Sequence, residues 1–322
     1  WTPVISDFII IEPRLNRPYS FERTQYSADL RWRISNPLRL SIGARQKDMT
    51  RNLQPIEDSE ETTLFTELQL NAWTGGQFRL KLEGAERRVS EYMPNDARPG
   101  PVDNPLFRKY NLADRDRTRV IAEFSLATTK RLGVNLSVYT AYDDYSNSPL
   151  GLQSSDLEGY TVSVDYAAGD SLTFYGYYSS DQYDSLLNGA SSTSLSDRWF
   201  ADTRDRFRSA GLGASYQFDN GASLGGDYLR ADTKGDISVQ TSLEEPPFDT
   251  LRTDLRNVRL YYRQDINEKW GYRIMAEYEH FESRDWAIDN YGVDGIPSVL
   301  WLGFNAPRYY VWNIGAQATY RF

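Results

Sequence analysis

The sequence predicts an antiparallel transmembrane β-barrel of an outer membrane. Segments in which apolar and polar residues alternate recur through the whole chain, and their apolar faces are rich in tyrosine and tryptophan. No run of about 18 or more apolar residues could form a membrane helix. A barrel strand touches lipid with only every second side chain, so a mean hydropathy of −0.62 is compatible with this fold.

Thirteen alternating segments predict thirteen strands, and the last is the clearest because its apolar face carries aromatic residues at both ends. In chain order, the predicted strands lie at Tyr26–Trp32, Leu38–Ala44, Leu64–Ala72, Phe78–Leu82, Val120–Leu126, Leu132–Val138, Tyr160–Tyr166, Leu172–Tyr178, Ala210–Tyr216, Ala222–Tyr228, Val258–Tyr262, Trp270–Tyr278 and Tyr310–Phe322. A weaker segment, Val4–Ile11, is a candidate fourteenth strand; the alternative is a plug or tether.

The predicted connections alternate in length. Short turns lie near residues 36, 75, 130, 169, 220 and 267, and long polar loops near 46–61, 86–115, 144–157, 181–204, 231–252 and 283–307. Short periplasmic turns and long extracellular loops are typical of bacterial barrels. We therefore expect Phe322 at the periplasmic end of the last strand.

We expect a single barrel domain over residues 1–322, because no change of composition marks a boundary. A soluble β-sandwich or propeller would bury the apolar faces against each other and favour Val, Ile and Leu there. The faces in this chain are full of Tyr, Trp, Ala and Gly instead.

Several function classes have no support in the sequence. Cysteine is absent, which excludes disulfides, thiolate metal sites and cysteine nucleophiles. The only histidine, His280, lies in the lipid-facing register, and no serine has the context of a hydrolase nucleophile. The net charge of −9 argues against nucleic acid as a partner. We therefore expect neither an enzyme nor a bound metal or cofactor.

Charged residues of both signs share the predicted lumen face. One interpretation is a set of salt bridges that stiffen the wall, and another is a polar surface that grips a protein inside the lumen. The candidate contact residues are the lumen-facing cations Arg31, Arg33, Arg39, Arg45, Arg79, Lys81, Arg119, Arg259, Arg263 and Arg273. Trp199, Trp286 and Trp301 in the long loops are candidate docking points, although packing over the barrel mouth would also explain them.

Several ordered motifs resemble the MtrB/PioB family of outer-membrane barrels. The longest is residues 104–119, NPLFRKYNLADRDRTR, before a strand. Others follow the family's order: Leu15–Tyr19, Arg87 and Arg88 before Glu91 and Tyr92, Tyr145 before Leu150–Leu152, Asp285 with Trp286, and Pro297–Gly303.

The resemblance implies a porin-like sheath in the outer membrane of a Gram-negative bacterium. Such a sheath encloses a periplasmic multihaem c-type cytochrome and insulates it for electron transfer, in either direction, between the periplasm and the exterior. In some cases it also meets an extracellular multihaem cytochrome. Haem c belongs to the partner, since this chain has no Cys-x-x-Cys-His motif. Outer-membrane lipid and lipopolysaccharide are the surrounding partners.

The motifs match the family's C-terminal half, and family barrels are larger than thirteen or fourteen strands. We therefore expect this sequence to be the C-terminal part of a longer barrel, although a shortened relative would explain the same match. The alternative function is a free-standing passive porin for small polar solutes, closed within residues 1–322.

Overall fold

The fold is taken from a computed structural model. It describes residues 3–4, 14–15, 19–73, 75–93, 104, 106–129, 131–190, 197–241, 248–286, 289 and 306–321. The only helical element in these ranges is a single 3-10 turn at Tyr110–Leu112, and no helix there is long and apolar enough to cross a membrane.

Thirteen long strands make up most of the described chain. They are β1 (Phe21–Arg33), β2 (Leu38–Arg51), β3 (Asp58–Trp73), β4 (Gly76–Val89), β5 (Arg115–Thr129), β6 (Leu132–Asp144), β7 (Leu150–Ala167), β8 (Leu172–Ala190), β9 (Arg198–Gln217), β10 (Ser223–Gln240), β11 (Leu251–Asp265), β12 (Trp270–Arg284) and β13 (Arg308–Tyr320). Every strand predicted from the alternation is present.

Each long strand pairs antiparallel with its neighbours in sequence, so the sheet is one continuous meander from β1 to β13. A two-residue strand, Phe107–Arg108, pairs in parallel with the start of β7 and brings the sheet to fourteen members. Within the described residues, β1 and β13 do not pair with each other.

The candidate fourteenth strand at Val4–Ile11 is not part of this sheet where it is described. Val4 pairs with Arg14 in a separate two-stranded sheet, and residues 5–11 lie outside the described residues. Phe322, expected at the periplasmic end, also lies outside them, but Tyr320 does end β13 beside Trp270 at the short-turn side.

Strand pairing places the apolar residues on one face, which we call the lipid face, and most of the charged residues on the other, the lumen face. Lipid-face side chains are unusually exposed for apolar residues: Leu30 is 72% exposed, Leu212 64% and Ile314 82%. Such a surface is stable only when hydrocarbon covers it. The short turns use tight geometry, as at Gly221, whose φ of +81° suits a residue without a Cβ.

The strands are longer than predicted, and several predicted loops are wrong in extent. Much of 46–61, 144–157, 181–204 and 231–252 is paired strand; β9 alone has 20 residues. A membrane-spanning strand needs only about 9–11 residues. The strict apolar alternation ends where lipid ends, but hydrogen bonding between strands continues, so the hairpins project beyond the membrane on the long-loop side.

Candidate functional site

All ten predicted cations lie on the lumen face. Directly paired residues of antiparallel strands share a face, and the pairing can be followed step by step: Arg33 faces Arg39, Gln69 faces Arg79, and Arg79 faces Glu123. The same register puts Arg31, Arg45, Lys81, Arg119, Arg259, Arg263 and Arg273 on this face.

Some of these cations are neutralised within the wall. Arg79 lies between two carboxylates: its Nε donates to Glu123 Oε2 at 2.8 Å, and its Nη1 is 3.8 Å from Glu67 Oε2. Lys81 Nζ is 2.8 Å from Glu83 Oε2. Arg31 Nε lies 2.8 Å from Asp29, Arg259 Nη2 2.9 Å from Asp227, and Arg263 Nη2 3.7 Å from Asp265. These pairs fit the predicted salt bridges that stiffen the wall.

Other cations face each other near the short-turn end of the lumen. Arg33 is directly opposite Arg39 on β2, and Arg263 is directly opposite Arg273 on β12. Like charges in this position are destabilising. Within the described residues, Arg33 and Arg39 make no ion pair, and Arg273 instead places its guanidinium 5.3 Å from the ring centre of Tyr261. Among the described residues, Arg33, Arg39 and Arg273 therefore carry positive charge at the periplasmic end of the lumen without an ion pair, whereas Arg263 is paired with Asp265.

Small, uncharged side chains form a narrow strip across the middle of the lumen face. A row of directly paired residues runs across β6 to β9 as Ser137, Thr161, Ser179 and Ser209. Thr161 Oγ1 donates to Ser179 Oγ at 3.3 Å, which holds these hydroxyls close to the sheet. This strip separates the charged strands β1–β5 from the charged strands β10–β12.

Aromatic rings on the lumen face lie flat against glycines of the neighbouring strand. A Cβ built on any of these glycines would overlap ring atoms of its partner. The directly paired sets are Phe65 with Gly43, Tyr139 with Gly159, Tyr175 with Gly213, Tyr177 with Gly211, Tyr261 with Gly225 and Trp199 with Gly189.

Two of these rings are also anchored at the hydroxyl. Tyr139 donates to Asp181, and Tyr175 donates to Asp227, in each case to a carboxylate on the same face. Rings held at both the face and the hydroxyl cannot project into the lumen without breaking these contacts. These parts of the lumen face are therefore polar, and their aromatic rings do not project into the lumen.

At the extracellular end, the segment before β5 folds inward onto the lumen face. Arg87 on β4 holds it: Nε donates to the carbonyl of Ala113 at 2.8 Å and Nη2 to that of Tyr110 at 2.5 Å. Leu112 and Ala113 are each only 2% exposed. The segment narrows the extracellular mouth on the side of β3 to β7.

Charged residues on adjacent strands support this segment. Arg115 Nη2 lies 2.9 Å from Glu61 Oε2, and Arg117 contacts both oxygens of Asp143 at 2.5 Å. We call Glu61, Arg87, Arg115, Arg117 and Asp143 the mouth cluster.

The mouth cluster lies outside the membrane-spanning part, and its charges perturb one another. Burial and the neighbouring charge of Arg115 lower the pKa of Arg87. The hydrogen bond to Asp143 raises the pKa of Arg117, and burial together with the Asp143 charge raises the pKa of Tyr145. These shifts follow from burial, hydrogen bonds and neighbouring charges within a compact, partly dehydrated contact.

The three candidate docking tryptophans lie in different structural settings. Trp199 lies in strand β9, not in a loop, and its ring covers Gly189 on the lumen side. Trp286 follows β12 and stacks on Phe248, with ring centres 4.4 Å apart. Trp301 lies outside the described residues.

Sequence reasoning found the lumen cations but missed the mouth cluster and the ring–glycine pairs. Residues 104–119 differ from an ordinary loop in sequence, yet the contacts of the mouth cluster, such as Arg115 with Glu61, join residues far apart in the chain. The sequence signal for the ring–glycine pairs was the occurrence of glycines in the lumen register of strands that neighbour aromatic residues in the same register. The described residues contain no group of three or more His, Asp or Glu that could hold a metal ion.

Comparison with known proteins places this geometry in a family. The family described as outer membrane beta-barrel porin, MtrB/PioB, matches residues 4–322. The chain belongs to this family. It is an outer-membrane β-barrel protein whose short turns face the periplasm and whose long loops face outward.

A curated relative supports the assignment. This MtrB/PioB chain is 26% identical over 329 residues to "Outer membrane protein MtrB" of Shewanella baltica (strain OS185), and the match covers 100% of this chain and 46% of that protein. The chain thus spans about half the length of the curated relative it matches.

Solved structures agree on the fold. The ferric citrate transporter FecA has a TM-score of 0.51 at 13% identity, with 88% of this chain and 42% of that chain covered. The siderophore receptor PiuA from Acinetobacter baumannii has a TM-score of 0.43 at 11% identity, with 86% and 51% covered. The likeness to FecA is evidence of an outer-membrane barrel architecture alone.

Proposed function

We propose that this chain forms part of an outer-membrane sheath whose lumen holds a periplasmic multihaem c-type cytochrome for electron transfer across the membrane. The observation that carries the proposal is the lumen face itself. It is charged in both signs, yet six of its aromatic rings lie against glycines of the wall. A face of this kind suits a bulky protein occupant.

A solute-selective pore usually narrows its lumen with projecting side chains, often in rings of one charge. The opposite arrangement is seen on β6 to β9, where Ser137, Thr161, Ser179 and Ser209 offer short hydroxyls. Tyr175 and Tyr177 lie on glycines beside this strip. Short hydroxyls and flat rings can hydrogen-bond and pack against a folded surface without excluding it.

The positive charge near the periplasmic turns predicts which charge the proposed occupant carries there. Arg33 with Arg39, and Arg263 with Arg273, form two like-charge pairs at the end where a periplasmic protein would enter. Acidic groups on the occupant would relieve the repulsion within each pair. We infer that the cytochrome presents acidic side chains at this level.

In this proposal the sheath performs no catalysis and binds no cofactor. The chain has no cysteine and therefore cannot attach haem through a Cys-x-x-Cys-His motif. The haem c belongs to the enclosed cytochrome, and the wall excludes lipid and water from it. A second, extracellular multihaem cytochrome would meet the projecting hairpins.

Strand number is the main distinction from a free-standing passive porin. β1 and β13 do not pair with each other within the described residues, and the relative is about twice as long as this chain. Additional strands between the two edges would widen the lumen, because barrel diameter grows with strand number. The wider lumen is the one a folded cytochrome requires.

The test is to purify the full-length protein from native membranes and measure haem absorbance and polypeptide ratio in the complex. We expect a Soret band and a cytochrome in stoichiometric amount. A haem-free preparation that conducts ions as a single channel would instead establish the passive porin.

A matched pair of variants sharpens the test. Arg33→Gln with Arg39→Gln removes charge from the periplasmic lumen, and Arg88→Gln removes charge from the lipid-face side of β4. The first should lower the haem ratio at low salt and make that ratio less dependent on salt than in the parent, and the second should do neither. Equal behaviour of both variants would refute the proposed charge contact.

A further inference from the structure

The exterior of the projecting hairpins carries a row of four cations on four adjacent strands. Arg206 on β9 pairs directly with Lys234 on β10, Lys234 with Arg252 on β11, and Arg252 with Arg284 on β12. Directly opposed like charges are destabilising, so four in succession need a compensating partner.

This row lies on the outside of the barrel, not in the lumen. Arg206 has the same strand register as Leu212, which is 64% exposed on the lipid face, and Arg252 has the register of Leu260, which is 55% exposed. The row therefore continues the lipid-facing surface upward past the apolar band.

Two further cations mark the upper edge of the apolar band. Arg230 on β10 and Arg256 on β11 are directly paired, and each is two residues beyond the last apolar lipid-face residue of its strand, Tyr228 or Val258. The four-cation row begins four residues further along β10, roughly 13 Å along the strand. Arg208, two residues from Arg206 on the same face of β9, lies directly opposite Asp232. We call Arg206, Arg208, Arg230, Lys234, Arg252, Arg256 and Arg284 the basic patch.

Acidic residues neutralise only part of the basic patch. Asp254 Oδ2 is 3.2 Å from Arg230 and its Oδ1 is 2.8 Å from Arg256, while Glu282 is 3.6 Å from Arg284. Within the part of the chain that the structure describes, Arg206, Arg208, Lys234 and Arg252 make no ion pair; Arg206 only donates to Gln182, at 3.4 Å. Several of these residues line one surface cleft.

The charge is local to these strands. The same row continues from Arg206 onto Gln182, Glu158 and Thr140, which are neutral or acidic. The whole chain has a net charge of −9, so the basic patch is not a sample of a generally basic surface.

We propose that the basic patch binds the phosphate groups of the glycolipid, lipopolysaccharide, that forms the outer leaflet around the barrel. Its place next to the apolar band puts it beside lipid head groups, and its cations match their charge. Guanidinium groups contact phosphate oxygens in pairs, and an ammonium adds a point charge. Phosphates bound between the side chains of neighbouring cations would relieve the repulsion along the four-cation row.

The test uses the full-length protein in detergent with two probes, lipopolysaccharide and the same lipid after dephosphorylation. The test variant is Lys234→Gln with Arg252→Gln, which removes two cations that lack an ion pair. The control is Lys47→Gln with Arg88→Gln, which removes two cations far from the patch. Bound lipid is counted by native mass spectrometry, and thermal unfolding checks that each variant is folded.

We expect the test variant to bind lipopolysaccharide on the order of tenfold more weakly than the parent, and the control to bind as the parent does. Dephosphorylated lipid should bind the parent as weakly as intact lipid binds the test variant. The thermal unfolding temperature of the test variant should equal or exceed that of the parent, because the two substitutions relieve like-charge repulsion.

Equal binding of lipopolysaccharide by parent and test variant would overturn the proposal, and so would equal binding of the two lipids by the parent. If the test variant instead lost an acidic protein partner while keeping its lipid, the patch would be a protein docking surface and the proposal would be wrong. The haem content of the complex should not change, since the patch faces away from the lumen.

Discussion

Replacing Gly213 with alanine tests whether flat aromatic rings are built into the lumen wall. Gly213 pairs directly with Tyr175, and a Cβ at this position would overlap the tyrosine ring. The ring would have to lift off the sheet, which would also break the hydrogen bond from its hydroxyl to Asp227. The matched control is Gly84→Ala on β4, where a Cβ would meet nothing within 4 Å.

The expected magnitude follows from three contributions. Overpacking costs typically about 1–3 kcal/mol. Loss of a hydrogen bond to a charged acceptor adds about 1.5–3 kcal/mol where the site is dry, and less on this partly exposed wall. Replacing a strand glycine with alanine raises the free energy of unfolding by about 0.5–1 kcal/mol in both variants, so this contribution cancels in the comparison. Gly213→Ala should therefore be roughly 2–4 kcal/mol less stable than Gly84→Ala.

The assay is urea unfolding of the full-length protein in detergent, followed by tryptophan fluorescence and by heat-modified migration on a gel. Gly213→Ala combined with Tyr175→Ala should be less destabilised than the sum of the single changes, because the ring that clashes is gone. If Gly213→Ala and Gly84→Ala unfold at the same urea concentration, the ring does not lie on that glycine and the reasoning fails.

Three further outcomes are expected. Arg117→Leu leaves the carboxylate of Asp143, which is only 6% exposed, without its ion-pair partner. The free energy of unfolding should fall by about 2 kcal/mol, less than the ~3–5 kcal/mol lost when a fully buried pair is broken. The inward-folded segment should also become accessible to protease. Arg33→Gln with Arg39→Gln should leave urea stability equal or higher, because two opposed like charges are removed. Burial raises the pKa of Asp184, but hydrogen bonds from β9 and β8 outweigh it, and the pKa is lowered on balance. A depressed carboxyl pKa gives stability above its unfolded value of about 3.9 that is lost as pH falls through the folded value. The free energy of local opening of the β8–β9 hairpin, obtained from hydrogen exchange after correction for the pH dependence of the intrinsic exchange rate, should therefore fall below about pH 4 and stay constant above pH 5, and a fall between pH 5 and neutral pH would contradict this.

The membrane makes part of this fold predictable from sequence. Lipid on one side and a polar lumen on the other impose a period of two on every spanning strand, so segments such as Leu172–Tyr178 identify both strand and face. For the same reason the alternation predicts that the ten cations share one face, and the strand register places them opposite the exposed apolar residues. Above the membrane the constraint disappears: both faces of Asp181–Ala190 can be polar, and its strand structure depends on pairing with β9.

Contacts between strands were beyond the reach of sequence for a different reason. The pairing of Tyr175 with Gly213, or of Arg206 with Lys234, depends on register, and a shift of one residue would put each side chain on the other face. The mouth cluster needs four strands, β3 to β6, and a folded-in segment at once. Period-two patterns fix faces, whereas these sites depend on which residue lies opposite which.

The position of the cytochrome inside the lumen is the central claim, and site-specific photocrosslinking tests it most directly. A photoreactive residue is placed at Ser179, in the middle of the lumen face, or at Leu212, on the lipid face of the neighbouring strand, in the full-length protein in native membranes. We predict a haem-staining adduct from Ser179 and none from Leu212. Equal crosslinking from both positions, or none from Ser179 while cytochrome is present, would contradict a cytochrome held within this wall.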